Sequence, residues 1–81
     1  MVIKMNYDLL LEKSREYYNS NMKEYNTNMP DDFVIMQLFD LMSNLLNQVE
    51  YDYIYTFKEH DFDFIIKYNI NIPNALDYFY K

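Results

Sequence analysis

The fold turns on one stretch: Glu50-Tyr51-Asp52-Tyr53-Ile54-Tyr55-Thr56-Phe57, then Lys58, then Glu59-His60-Asp61-Phe62-Asp63-Phe64-Ile65-Ile66. Tyr51, Tyr53, Tyr55 and Phe57 alternate strictly, and so do Phe62, Phe64, Ile66, Tyr68, Ile70 and Ile72. Alternation places side chains on the two faces of a strand, and aromatic and β-branched residues suit a pleated surface. On that reading residues 51–72 form a β-hairpin with Lys58-Glu59-His60-Asp61 as its loop. The same residues also satisfy a helix. Val49, Tyr53 and Phe57 lie at four-residue steps, and Phe62, Ile65, Ile66 and Asn69 fall on one helical face.

Glycine decides between them by its absence. The chain contains none, so the Asn-Gly and Asp-Gly signatures of tight hairpins do not occur. Turns that need positive φ must instead use asparagine, of which there are ten. The expected fold is mostly α, a small domain of three or four helices, with α+β and a hairpin over 51–72 as the alternative.

Upstream, the helical signal is clear. After Asn6 as N-cap, Tyr7, Leu10, Leu11, Ser14, Tyr17, Tyr18, Met22 and Tyr25 follow the spacing of one helical face. Asn26-Thr27-Asn28 and Pro30 interrupt it. Asp31 and Asp32 suit the positive end of a second helix, whose stripe runs through Ile35, Leu38, Met42, Leu45, Leu46 and Val49, widened by Phe39 and Leu41. So broad an apolar surface predicts the central helix. Pro73 opens a last short helix over residues 74–80, with Leu76 and Phe79 as its packing residues.

With 81 residues the chain is long enough for one domain, 1–81, and the 51% apolar content supplies its core. The formal net charge is -6, shared by both halves: residues 1–49 carry four positive and seven negative charges, residues 50–81 three and six. A chain with no basic half is poorly suited to a phosphate backbone and better suited to a basic partner. No cysteine is present, which removes disulfides and thiolate chemistry. The N-terminus lacks a signal-peptide pattern, and the longest purely apolar run is Phe33-Val34-Ile35-Met36, so a cytoplasmic protein is expected. Met5 is a second candidate start. The abundance of Asn, Ile, Tyr and Lys, residues with AT-rich codons, suits a low-GC bacterium or its phages and mobile elements.

Catalytic chemistry is poorly provided for. His60 is the only histidine, and Ser14, Ser20 and Ser43 lack a neighbouring base or a glycine-flanked elbow. Without glycine there is no phosphate-cradling loop. A non-enzymatic protein without cofactor is expected. Glu59, His60, Asp61 and Asp63 could approach a cation, but the spacing lacks the calcium loop's oxygen pattern and central glycine, so a solvated polar turn is expected and no metal.

The acids of the C-terminal half, Glu50, Asp52, Glu59, Asp61 and Asp63, are opposed in sequence only by Lys58. They could pair with a partner's Arg and Lys by charge-assisted hydrogen bonds, taking the place of phosphates. Phe33, Phe39, Phe57, Phe62, Phe64 and Phe79, with Ile65 and Ile66, are expected in the core. Ten tyrosines exceed what a small core satisfies, so Tyr17-Tyr18 and Tyr51, Tyr53 and Tyr55 are expected at a contact surface. The expected partner-binding set is therefore Glu50, Tyr51, Asp52, Tyr53, Tyr55, Glu59, Asp61 and Asp63. The expected partner is a basic, nucleic-acid-handling host protein, blocked in the manner of an anti-CRISPR or anti-restriction inhibitor. The first alternative is a homo-oligomeric structural or assembly protein, such as a homodimer, with the tyrosine patch as its seam. The second is a small regulator, because residues 62–80 resemble the outline of a helix-turn-helix joined at Asn69-Ile70-Asn71.

Overall fold

A computed structural model describes the backbone of residues 6–51 and 59–80, and the side chains of residues 6–47 and 59–79. Within them the chain is helical: α1 (Tyr7–Tyr17), a π turn (Tyr18–Met22), a 3-10 turn (Lys23–Tyr25), α2 (Asp31–Tyr51), α3 (Glu59–Lys67) and α4 (Ile72–Tyr80). The mostly α expectation holds. The hairpin alternative fails over residues 59–72, where α3, a turn and the start of α4 stand instead. Residues 52–58, with Asp52, Tyr53, Tyr55 and Phe57, lie outside the described residues, as do both candidate starts, Met1 and Met5.

The helix ends show why these boundaries hold. Asn6 is extended, and its Oδ1 accepts the Leu9 amide at 3.1 Å, supplying a partner that the first helical turn lacks. Leu10, Ser14, Tyr17, Tyr18 and Met22 are buried along one side. The buried Ser14 hydroxyl is satisfied within its own helix, donating to the Leu10 carbonyl at 2.8 Å. Beyond Tyr17 the helix widens into the π turn, with both Tyr18 and Met22 fully enclosed. The expected face thus continues to Met22 in a changed helical form, while Tyr7 and Tyr25 at its two ends are exposed, and Tyr17 and Tyr18 belong to the core rather than to a surface.

Asn26 organises the following loop. Its Oδ1 accepts the Met29 amide at 3.1 Å, while its Nδ2 donates to the Met29 carbonyl and to the Tyr18 hydroxyl, both at 2.8 Å. Pro30 then precedes α2, its carbonyl accepting the Phe33 and Val34 amides, at a place where its missing N–H costs nothing. Val34, Ile35, Leu38, Leu41, Met42 and Leu45 are buried, so α2 is the central helix. Each such side chain contributes about 1.5–3 kcal/mol by leaving water.

The α3–α4 connection uses asparagine as a glycine substitute. Asn69 has φ 53°, the left-handed conformation. The Ile70 amide reaches back to the Ile65 carbonyl at 2.9 Å and the Asn69 amide to Ile66 at 3.2 Å, the paired bonds of a Schellman C-cap. Buried Ile70 closes the motif beside half-buried Ile65. Asn71 then caps α4, its Oδ1 accepting the Asn74 amide at 3.1 Å. Ala75, Leu76 and Phe79 pack inward. Phe79 and Tyr78 meet Tyr17 of α1 at ring-centroid distances of 5.9 and 5.8 Å, an aromatic seam joining the first and last helices. Phe33 and Phe62 differ from the core expectation: each is 50% exposed, and Ile66 is 76% exposed.

Candidate protein-interaction face

The features of α3 follow from where its acids and apolar residues fall. Glu59 and Asp61 occupy its first turn, where carboxylates complement the positive end of the helix dipole, and Lys67 closes the last turn. Asp61, Phe64, Ile65 and Tyr68 lie at i, i+3, i+4 and i+7, and these are its inward residues. The first three are half-buried, and Tyr68, just past the helix end, is buried. Glu59, Phe62, Asp63 and Ile66 repeat the same spacing two positions earlier, and all four are exposed. A helix with alternating apolar residues therefore carries two apolar faces, and only one of them meets the core.

Of the expected partner-binding residues, Glu59 and Asp63 come together on the outer face, one turn apart. Asp61 is on the other side, its side chain only 22% exposed, with the His60 Nε2 3.5 Å from its Oδ1. The backbone of Glu50 and Tyr51 ends α2, but their side chains lie outside the described residues, as do Asp52, Tyr53 and Tyr55 entirely. Phe62 and Ile66, expected in the core, instead flank the two acids. The signal that finds them is the doubled spacing, 59/62/63/66 beside 61/64/65/68. A single small core cannot take both sets.

The charges of the described residues are arranged unevenly. Among the described residues, every lysine and arginine has an intramolecular contact. Arg15 lies 3.2 Å from Asp32, and Lys23 3.6 Å from Asp31. Lys13 reaches the Tyr78 carbonyl at 3.5 Å, and the Lys67 ammonium sits 5.3 Å above the Tyr68 ring. Asp31 is further engaged, accepting the Tyr18 hydroxyl at 2.5 Å. That hydrogen bond, aided by Lys23 and opposed by partial desolvation, holds the Asp31 carboxyl below its ordinary range. Burial, and then the bond to Asp31, push the Tyr18 hydroxyl up. Tyr78 is raised too, chiefly by its 2.7 Å bond to Glu16 and then by burial. Tyr17 is raised by burial.

Two other chemistries are poorly served. Glu59 and Asp63 point away from Asp61, and no group of three or more Asp, Glu, His or Cys among the described residues could hold a metal ion. Two short helices joined by a turn, α3 and α4, do follow one another, but the exposed positions of α4 include Asn74, Asp77 and Tyr78, and among the described residues of α4 there is no cation to meet phosphate. No described helix is long and apolar enough to cross a membrane. No protein-family model matches the chain, and neither a curated protein nor a solved structure matches it.

Proposed function

We propose that this chain is a small acidic, non-enzymatic binding protein that occupies a basic, nucleic-acid-binding site on a host protein. In its most concrete form it is a phage or mobile-element inhibitor of the anti-CRISPR or anti-restriction kind, acting in the host cytoplasm. The observation that carries the reading is the outer face of α3, where Glu59 and Asp63 stand exposed beside Phe62 and Ile66. Carboxylates set beside apolar anchors are what a cationic protein surface recognises, and the net charge of -6 would steer such a partner inward. The described cations support the same direction, because each is already engaged within the chain.

Capture from the native host identifies the partner, and its affinity then tests the mechanism. Replacing Glu59 and Asp63 with lysine should abolish binding while leaving the helical fold intact. Binding equal to wild type, or an affinity indifferent to salt, would sink carboxylate recognition.

A second reading, a homodimer, is favoured by a different surface. The outer side of α2 presents Phe33 and Met36, each 50% exposed, followed by Asp40, Asn44 and Asn47. Two copies could meet there through the two apolar side chains and the asparagines, with Asp40 the one charge on the strip. Solution mass decides it: a dimer that Phe33→Glu with Met36→Glu converts to monomer supports this seam, and a monomeric wild type removes it.

A further inference from the structure

Resting on the charge reading above, we infer that the outer face of α3 receives an amphipathic helix of the basic partner, anchored by Phe62 and Ile66 and oriented by Glu59 and Asp63. The four residues form two parallel rows, each one helical turn long: an acidic row, Glu59–Asp63, and an apolar row, Phe62–Ile66. Residues four apart on any helix are neighbours, so an opposing helix with paired rows of cationic and apolar residues matches both in register. Strand addition is not served here, since no strand edge exists among the described residues to extend.

The exposure of this face points the same way: Ile66 is 76% exposed and Phe62 keeps half of its surface open, on a helix that already has apolar residues facing inward. A cationic amphipathic helix would cover that surface and meet Glu59 and Asp63 at once. The division of labour follows from general interface behaviour: desolvated apolar anchors set the lifetime of a complex, while exposed charges set the association rate and its salt dependence.

The test titrates the full chain, observed by amide NMR, with three synthetic helical peptides of equal length. One carries arginine and leucine rows at helical spacing, one has alanine in place of leucine, and one has glutamate in place of arginine. The arginine–leucine peptide should bind saturably, with shifts confined to α3 and its turn. Phe62→Ser with Ile66→Ser should weaken it by about tenfold or more. Ile66→Ser alone, at the most exposed of the four positions, gives a smaller loss in the same direction should the double variant fold poorly. Glu59→Gln with Asp63→Asn should weaken binding and flatten its salt dependence, whereas Glu12→Gln, exposed on α1, should change neither. If the alanine peptide binds as tightly as the leucine peptide, or the apolar variants bind like wild type, the helix-docking inference is overturned while the charge reading stands. If the arginine peptides bind no better than the glutamate peptide, or shift residues elsewhere, both fall.

Discussion

At Tyr18 a hydroxyl with no access to water donates to Asp31 Oδ1 and accepts from Asn26 Nδ2, tying the π turn to the following loop and to the start of α2. Tyr18→Phe keeps the ring and removes those bonds, and should cost about 1–2 kcal/mol in urea unfolding. The pH dependence has a defined sign. Asp31 titrates below its ordinary value when folded, so its contribution is present above the unfolded carboxylate value and is lost as pH falls through the folded one. The acid limb of the stability profile should therefore be shallower in Tyr18→Phe. Tyr17, Tyr18 and Tyr78 are displaced upward, so they favour the folded state below the ordinary tyrosine value and lose that contribution as pH rises through their folded values. An alkaline absorbance titration should show a class of tyrosines ionising later than the exposed ones, merging with them in denaturant. Asn69 gives a backbone counterpart. Asn69→Ala must hold a Cβ-bearing residue at φ 53° without the tolerance of Asn and should lose about 1 kcal/mol, while Asn69→Gly should lose less. Asparagine at such a turn was legible from the absence of glycine. The burial of Tyr17 and Tyr18 was not, because their partners, Phe79, Asp31 and Asn26, come from distant positions or from a loop whose path sequence spacing does not define.

Among the elements, α2 was the easiest to read and α3 the hardest. The stripe of α2 has one period and one face, and six of its apolar residues, from Val34 to Leu45, are buried. Leu38→Ala in its middle should cost about 2–5 kcal/mol, measured by the denaturation midpoint. In α3 the apolar residues alternate, which on a strand would mark a single face but on a helix divides them between two. That is why Phe62 and Ile66 read as core from sequence and stand exposed in the fold. The division has a measurable consequence: Ile66→Ser should change stability by no more than about 0.5 kcal/mol, whereas Phe64→Ala, on the inward row beside Tyr68, should cost clearly more. Equal losses from the two would mean that α3 does not present the faces described.

Across the whole molecule, the helices bury one core, organised by α2, and leave an acidic exterior whose described cations are each engaged internally. Size, charge and helical class are legible in the sequence, because they depend on composition and on long periodic segments. The candidate face was legible only in part: Glu59 and Asp63 were singled out by charge, their apolar companions were not, and Asp61 faces the other way. The direct test of the account is the affinity of the captured host partner for the wild type and for Glu59→Gln with Asp63→Asn, measured over a series of salt concentrations. Wild-type affinity should fall steadily with salt, and the variant should bind more weakly with a flatter slope. Identical affinities and identical slopes would contradict it.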